Sequence, residues 1–418
     1  MVERFKKSKF EWFDEIPLSW SESKISYLFE IGRGRVISQQ ELKEDGMYPV
    51  YSSQTKDNGC MGMIDTYDFD DNLITWTTDG ANAGTIFIRE GKFNCTNVCG
   101  TLKPILDIEL KYYYYYLQFV TQFYKRPDTN GAKIMNNEMA NIHTLIPPKE
   151  TQIHIAKFLD KKTAEIDAII EKKENLLLLL EEKKKAIINE AVTKGINPNA
   201  PMKDSGIEWI GEIPEHWEVK PLGYLGSCQN GVSKGGDYFG EGHPFVNYGD
   251  IYKNYELPTT VEGLAKSSEE DREAYSVLYG DVFFTRTSET IEEIGIASTC
   301  LKTIENAVFS GFTIRFRPYS LEELYPEYSK YFFRSNYIRV SLVKEMNLVT
   351  RASLSQTLLK SLKVILPPYE EQKSIVLYFQ NKFQTIDKAK EKIDVQINKL
   401  KEYRQSLISE AVTGKIDI

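Results

Sequence analysis

Two short patterns in the chain come close to catalytic motifs, and each lacks a residue that the chemistry needs. The segment Leu366–Tyr369 reads LPPY. In amino-methyltransferases an Asn or Asp stands before PPY and holds the target amino group, but here that position is Leu366. Gly32-Arg33-Gly34 lacks the third glycine of a dinucleotide-binding loop, and the chain has no GxxxxGK[ST] phosphate-binding loop. The sequence therefore predicts no catalytic residue and no cofactor bound by this chain.

Metal ligation and membrane insertion are also not predicted. The five cysteines are irregularly spaced and the four histidines are scattered, which is typical of free thiols in a reducing compartment and gives no metal site. The N-terminal segment has no apolar signal core, and no run approaches the ~20 apolar residues of a membrane span. We expect a cytoplasmic protein without a membrane partner.

Polar and basic side chains stand at the ends of several strand-like runs, where loops should emerge. Arg suits the edge of guanine, Asn and Gln suit adenine, and Lys and Ser hold phosphates. The candidates in the first half of the chain are Arg33, Arg35, Ser53, Gln54, Thr77, Thr78, Asn82, Lys133 and Asn136. The candidates in the second half are Ser233, Lys234, Asn247, Tyr248, Arg286, Thr287, Ser288 and Arg351. For any single one, an ordinary turn or surface role is the alternative. Thr78 and Arg286 are the strongest, because each closely follows an apolar strand.

Residues 146–196 recur as residues 366–416, without a gap and at an offset of 220. Identical pairs include Pro147/Pro367, Gln152/Gln372 and the EAVT runs that start at 190 and 410. A shorter marker, EIPLSW at 15–20 and EIPEHW at 212–217, recurs at an offset of 197. An internal repeat of this kind fixes the organisation of the chain before any fold assignment.

Each copy of the longer repeat predicts one long helix. No Gly or Pro interrupts residues 155–191. The expected seam of the first helix is Ile155, Leu159, Ile166, Ile169, Leu176, Leu180, Ile187 and Ala191, interrupted by Lys162 and Lys173. In the second helix we expect Ile375, Phe379, Ile386, Ala389, Ile393, Ile397, Leu400, Leu407 and Ala411. Such seams are typical of coiled coils, and a helix of this length would span about 60 Å. We expect the two helices to pair with each other in an antiparallel coiled coil.

The two blocks between the repeats mix strand-like runs with turn dipeptides and helical segments. The sequence thus predicts an α+β protein with a pseudo-twofold internal repeat: two globular α+β domains separated by two long helices. The expected boundaries are 1–146 and 198–366 for the domains with their linker, and 147–197 and 367–418 for the helices. The tyrosine run 112–116 is expected to pack in a core rather than to stack on bases.

This architecture resembles the DNA specificity subunit of a Type I restriction–modification system. The resemblance is carried by SGIEWIGEIPEHW at 205–217, by LPPYEEQKSI at 366–375 and by the repeat itself. It implies two target-recognition domains that each bind half of a split, asymmetric double-stranded DNA site, on a coiled coil that fixes the spacer. It also implies a non-catalytic chain. S-adenosylmethionine, ATP and magnesium would then belong to two methylation subunits and to restriction subunits.

The resemblance further implies that the conserved helices are docking surfaces for the methylation subunits. The candidates for this role are Glu150, Gln152, Glu190, Glu370, Gln372 and Glu410. The net charge of −8 does not favour nucleic acid, so we expect positive charge to be segregated to one face of each domain. The alternative is an adaptor that does not bind DNA, in which a coiled coil carries two protein- or ligand-binding modules.

Overall fold

A computed structural model describes residues 5–10, 15–129, 131–288, 290, 293–345 and 353–416. The chain divides into two compact units. Unit 1 comprises residues 1–174 and 394–418, and unit 2 comprises residues 175–393. Each unit therefore contains one of the predicted blocks together with a part of both long helices. The division at 146, 197 and 366 stays a prediction.

Unit 1 is built around two four-stranded sheets. Its strands are β1 (Phe5–Lys7), β2 (Glu15–Pro17), β3 (Ser21–Lys24), β4 (Phe29–Arg33), β5 (Tyr48–Tyr51), β6 (Cys60–Ile64), β7 (Phe69–Asp70), β8 (Leu73–Thr77), β9 (Asp79–Gly80), β10 (Ile86–Arg89), β11 (Lys92–Cys95), β12 (Cys99–Pro104), β13 (Arg126–Asp128), β14 (Gly131–Lys133) and β15 (His143–Ile146). Its helices outside the repeat are α1 (Leu110–Val120) and α2 (Asn136–Ala140). The main sheet is antiparallel in the order β10-β8-β12-β4, and the second sheet has the order β6-β5-β11-β7.

The tyrosine run of unit 1 lies on α1, and four of its five members are buried: Tyr112, Tyr113, Tyr115 and Tyr116. The rings of Tyr113 and Tyr116 pack against Tyr112, and Trp20 and Phe29 pack against Tyr112 and Tyr113, respectively. Apolar burial of this kind is the main stabilising term in a small α+β module. The expectation that the run belongs to a core is confirmed.

Unit 2 repeats this plan with longer loops. Its strands are β16 (Met202–Asp204), β17 (Glu212–Pro214), β18 (Glu218–Pro221), β19 (Gly226–Asn230), β20 (Phe239–Val246), β21 (Leu264–Ala265), β22 (Val282–Thr285), β23 (Ala297–Thr299), β24 (Val308–Phe309), β25 (Thr313–Pro318) and β26 (Lys363–Leu366). The two long helices of the repeat are α3 (Lys149–Lys194) and α9 (Tyr369–Val412). Between them, the helices of unit 2 are α4 (Tyr248–Lys253), α5 (Glu269–Ala274), α6 (Pro326–Phe332), α7 (Asn336–Glu345) and α8 (Gln356–Ser361). The main sheet has the order β19-β25-β22-β23, and β20 lies between β21 and β24.

The two blocks share one backbone frame, although their sequences hardly match. In unit 1 the hydroxyl of Thr77 donates to the carbonyl of Asn82 and accepts from the amide of Thr85 at 3.1 Å. In unit 2 Thr285 donates to the Glu293 carbonyl at 2.6 Å and accepts from the Ile296 amide at 2.9 Å. The same hydrogen bonds thus close the same hairpin in both units. The mixed helix and strand content confirms the predicted α+β class.

The long helices α3 and α9 run antiparallel to each other within each unit. In unit 1, Asp167 pairs with Arg404 at 2.9 Å and Lys173 with Gln396 at 2.7 Å. In unit 2, Glu181 pairs with Lys390, and Lys184 pairs with Asp387. Residues that come later in α3 pair with residues that come earlier in α9, so the predicted antiparallel pairing is confirmed.

The predicted seam of α3 is wrong at two positions. Ile169 and Leu176 are 44% and 43% exposed, whereas Ile170 is buried. From Ile166 the buried stripe advances by four residues to Ile170, because 3.6 residues per turn carry position 169 off the facing side. The stripe of α3 then meets Lys173, and three of the five leucines at 176–180 are exposed. The facing Ile393 and Ile397 of α9 stay buried, so apolar contacts and ion pairs together hold the middle of the helix pair.

Candidate nucleic-acid interface

Four segments of unit 1 meet at one end of its main sheet. The amide of Gly34 donates to the Cys99 carbonyl at 3.1 Å, and the amide of Thr78 donates to the Val98 carbonyl at 3.0 Å. The amide of Ile134 in turn donates to the Thr78 carbonyl at 2.9 Å. We call this end of the module, residues 33–36, 78–82, 96–98 and 133–136, the loop end of unit 1. It gathers the predicted residues Arg33, Arg35, Thr78, Asn82, Lys133 and Asn136.

Unit 2 has a loop end of the same construction, formed by residues 231–233, 286–288, 310–312 and 353–356. Gly231 donates to the Thr313 carbonyl at 3.4 Å, and the amide of Arg286 donates to the Phe312 carbonyl at 2.9 Å. The amide of Leu354 donates to the Arg286 carbonyl at 2.8 Å. Thr78 and Arg286, which the sequence singled out independently, therefore occupy the same position in the two modules.

Thr77 and Thr78 are corrected by the structure. Both side chains have no exposed surface, and the Thr78 hydroxyl donates to the Val98 carbonyl at 3.1 Å. A hydroxyl whose hydrogen bonds are satisfied inside a hairpin is not available to a base edge. These two threonines hold the loop rather than contact a ligand.

The basic residues of the loop end of unit 1 differ in how far they are engaged. Arg33 is exposed, and its Nη2 lies 3.6 Å from the sulfur of Met135. Arg35 forms ion pairs with Glu41 at 2.7 Å and with Asp68 at 3.1 Å, and Lys133 pairs with Asp128 at 2.9 Å. Surface pairs of this kind contribute only about 0–1 kcal/mol, so an incoming phosphate could compete for these cations.

The polar residues of unit 1 are mostly used within the module. Gln54 donates to the Cys60 carbonyl, and Asn136 donates to the Gly32 carbonyl at 3.1 Å. The Oδ1 of Asn136 is buried and has no hydrogen-bond partner among the described residues. Ser53 is half-buried and lies outside the loop end, while Asn82 is exposed. Of this group, Asn82 is best placed for an external ligand.

Four candidates in unit 2 have structural partners. Lys234 donates to Asp271 at 2.6 Å, which lowers the pKa of that carboxyl. Asn247 caps α4 by accepting from the amide of Asp250 at 3.1 Å. The hydroxyl of Tyr248 donates to the Glu293 carbonyl at 3.2 Å, and Ser288 donates to the carboxylate of Glu293. Capping residues and hairpin ties of this type position a loop, as the alternative interpretation of single polar residues expected.

Arg286 is the candidate whose surroundings fit a ligand best. Its Nη1 lies 3.4 Å from the Gly311 carbonyl, and its Nε is buried without a hydrogen-bond partner among the described residues. Thr287 forms an isolated bridge to Ser353, and Ser233 is exposed nearby. Arg351 lies outside the described residues. All of these remain predictions.

The sequence did not single out Phe312, which is 66% exposed at the centre of the loop end of unit 2. An aromatic side chain that tops a tight turn and leaves its ring in solvent is a common feature of binding surfaces. The equivalent residue in unit 1 is Val98, which is half-buried. The segment FSGFT carried the signal, since its second Phe falls in a Ser-Gly turn between two strands.

The predicted docking residues fall into two groups. Glu150 and Glu370 are exposed on the first turns of α3 and α9, and Glu190 is exposed near the end of α3, while Glu410 is half-buried. Gln152 and Gln372 are corrected, because they are only 3% and 0% exposed and their amides are hydrogen-bonded inside the protein. A buried side chain cannot form part of an exposed docking surface.

Across the described ranges, no group of three or more His, Cys, Asp or Glu side chains could hold a metal ion. In the same part of the chain, no helix combines the length and apolar character needed to cross a bilayer.

Two α+β modules on one backbone frame, each fastened to the antiparallel helices of its unit, define an internally duplicated two-module protein. The chain belongs to the family described as "Type I restriction modification DNA specificity domain", whose model matches residues 17–179 and 214–399. The match falls on both modules, and it favours the interpretation as a DNA-specificity protein over the adaptor.

Relatives with known names agree with this assignment. The chain is 42% identical over 139 residues to the type I specificity subunit sequence S.MpnORF289P N-terminus of Mycoplasma pneumoniae, covering 33% of this chain and 74% of that protein. It is 26% identical over 297 residues to the Type I restriction enzyme EcoKI specificity subunit of Escherichia coli K12, covering 68% of this chain and 61% of that protein. The match to the MpnII specificity subunit of M. pneumoniae spans 40% of that protein's length.

A solved structure shares the fold. Its subject is "complex assembly and conformational transition of the type I R-M system", and the matched chain superposes with a TM-score of 0.68 at 15% identity. The superposition covers 96% of this chain and 99% of that one. At this identity the likeness concerns the fold alone.

Proposed function

We propose that this protein is the specificity subunit of a Type I restriction–modification complex, and that each module reads one half of a split, asymmetric DNA site. The observation that carries the proposal is the family match over two modules that share a frame but differ at equivalent loop-end positions. Thr78 in unit 1 corresponds to Arg286 in unit 2, and Val98 corresponds to Phe312. Thr78 itself holds its loop, so at this position unit 1 offers no side chain to a base while unit 2 offers an arginine. Two copies of one scaffold with such different loop ends suit two half-sites of different sequence.

The chain itself is proposed to be non-catalytic. Methylation subunits would bring S-adenosylmethionine, and restriction subunits would bring ATP and magnesium. A partner that binds an internally duplicated chain twice would meet the same residues twice. Two pairs of exposed, repeated residues support binding of two methylation subunits. Glu150 and Glu370 recur at the offset of 220. Tyr27 and Tyr224 recur at the offset of 197 and are 69% and 75% exposed.

The paired helices are proposed to set the spacer between the half-sites. The buried apolar residues Ile386, Ile393 and Ile397 of α9 and the ion pairs between the helices together fix their register. Inserting one heptad into α3 between Leu176 and Lys185, together with one heptad in the facing part of α9, should lengthen the spacer and leave both half-site sequences unchanged.

The decisive experiment maps methylated adenines in DNA from cells that express this chain with its methylation subunit. A split motif with a methylated adenine in each half is expected. A continuous motif, or methylation that does not depend on this chain, would overturn the proposal. A chain with Arg286→Ala and Phe312→Ala serves as a control, since it should lose one half of the motif and keep the other.

A further inference from the structure

Gln152 and Gln372 occupy the same buried position at the start of the two long helices. In unit 1, Oε1 of Gln152 accepts from the amide of Glu109 at 2.9 Å, and Nε2 donates to the Pro147 carbonyl at 2.9 Å. Glu109 is the N-cap residue of α1, and Pro147 follows β15. One side-chain amide thus joins the helix of the recognition module, the proline turn and the first turn of the long helix.

Gln372 makes the same connection in unit 2. Its Oε1 accepts from the amide of Tyr325 at 2.9 Å, and Nε2 donates to the Pro367 carbonyl at 3.0 Å and to the Glu323 carbonyl at 2.9 Å. Tyr325 is the N-cap residue of α6, the counterpart of α1. The two amides are therefore equivalent connections between a module and its long helix.

Every partner of these two amides is a backbone group. The surrounding module sequences, DIEL at 107–110 and ELYP at 323–326, have little in common. A connection to backbone N–H and C=O groups does not depend on which side chains the module carries. It can hold modules of different sequence in one orientation.

Neighbouring contacts between module and helix depend on side chains and differ between the units. Tyr115 of α1 donates to Asp160 at 2.8 Å, whereas Tyr331 of α6 packs its ring on Phe379 with a centroid distance of 4.9 Å. The glutamine amides make two hydrogen bonds that both units share, one from the N-cap amide of the module helix and one to the carbonyl of the first proline, and Gln372 adds a third to Glu323. Both amides are buried. A small rotation of the module would separate each amide from its partners and leave buried polar groups without hydrogen bonds, and this cost disfavours the rotation.

We infer that Gln152 and Gln372 are positioning residues that fix the orientation of each recognition module on its long helix and so restrict the spacer length that the protein accepts. The inference rests on the proposed recognition of two half-sites. It assigns to these residues no contact with DNA. They act through the backbone of the module that reads it.

The test compares Gln372→Met with wild type in complex with the methylation subunit, on DNA substrates that carry both half-sites at each spacer length. Methionine has a similar length and lacks the donor and the acceptor. The methylation rate on the preferred spacer, relative to spacers one base pair longer or shorter, should fall about tenfold. Both half-site sequences should stay required. Gln384→Met, an exposed glutamine on the same helix, is the matched control and should keep the wild-type ratio.

An unchanged ratio of rates between the preferred and the other spacers would overturn the inference. This holds whether the rates stay at the wild-type level or fall equally on all spacers, as a merely structural role predicts. If Gln372→Met does not form the complex, Gln152→Met makes the same change in the other module. Gln372→Asn is a milder variant that keeps an amide but shortens its reach, and it should give a smaller fall in the ratio. A wild-type protein that shows no split motif would instead refute the proposed function.

Discussion

Arg404 donates a 2.9 Å hydrogen bond to Asp167 in unit 1, and the residues 220 positions away from each, Lys184 and Asp387, form the corresponding ion pair in unit 2. The acid is retained as Asp in both copies, and the base is Arg in one and Lys in the other. The repeat therefore conserves a pair across two helices, which sequence identity along one helix does not reveal.

Reversing one charge of this pair should weaken the helix pairing, and reversing both should restore it. Arg404→Asp places two carboxylates together, and we expect it to lower the free energy of unfolding by about 1 kcal/mol, since the side chains are partly exposed. The double variant Asp167→Arg with Arg404→Asp should recover most of this loss. Urea unfolding of the four proteins in the cycle measures the coupling, and a coupling of zero contradicts the assignment.

Thr77→Val should destabilise unit 1 without changing the DNA sequence that is recognised. The buried hydroxyl ties the two sides of the hairpin. Its loss removes one hydrogen bond from the Asn82 carbonyl and one from the Thr85 amide, but these two groups still bond to each other at 3.1 Å, so we expect a cost of about 0.5–1.5 kcal/mol. Thr77→Ser keeps the hydroxyl and should retain most of the stability. A stable Thr77→Val protein with an altered half-site would show that the hydroxyl reads DNA after all.

Phe312→Ala should lower DNA affinity and leave stability unchanged. The ring is 66% exposed beside Arg286, so its removal creates no cavity, while a contact to a base is typically worth about 1–3 kcal/mol. Tyr319→Ala is the control, because this tyrosine is 70% exposed beyond the opposite end of the same strand, β25. Equal losses in the two variants, measured by titration of a labelled duplex, would argue against a specific role for the loop end.

His143 should make unit 1 less stable as the pH falls below about 6.5. Burial lowers the pKa of this imidazole from 6.5, and the ring stacks on Phe10 at 4.3 Å. The unfolded chain takes up the proton first, so stability is intact above pH 6.5 and declines between 6.5 and the lowered pKa of the folded state. His143→Phe should flatten this part of the profile. Unfolding measured in steps from about pH 8 to about pH 5 tests it, and an identical slope in both proteins would refute the role.

Leu178→Glu should weaken binding of a methylation subunit while the chain remains folded. Leu178 is 64% exposed on α3, so a charge there costs little in the isolated protein but opposes burial in an interface. Leu106→Glu, at a residue 54% exposed in unit 1, is the control for a charge on another exposed leucine. Co-purification that is unaffected by Leu178→Glu would place the docking surface elsewhere.

The sequence was sufficient to predict the long helices, their antiparallel pairing and the α+β class. Uninterrupted helical segments and an ungapped repeat are properties that can be read from residue order. The side of α3 that faces α9 could not be predicted from the sequence. Ile169 and Ile170 are adjacent, and the order of residues does not decide which of them is buried.

The common frame of the two modules was not predictable from side chains, because backbone hydrogen bonds carry much of it. Thr78 and Arg286 have unrelated side chains and make the same main-chain contacts. Gln152 was wrongly expected at the surface, because its hydrogen-bond partners are also backbone groups. Its residue type is polar, and nothing in its neighbours along the chain shows that backbone groups of α1 and the proline turn satisfy its amide.

Gly34 and Gly231 limit how these loop ends can change. A Cβ on Gly34 would overlap the Cys95 carbonyl, and a Cβ on Gly231 would overlap the carbonyls of Phe309 and Ser310. Gly311, in the loop end of unit 2, is restricted in the same way, because its Cβ would lie 2.7 Å from the Val232 carbonyl oxygen. In a randomised library of either loop end, surviving clones should therefore keep these glycines while exposed positions such as Asn82 and Phe312 diversify, so that new specificities can arise without loss of the backbone turns that support the loops.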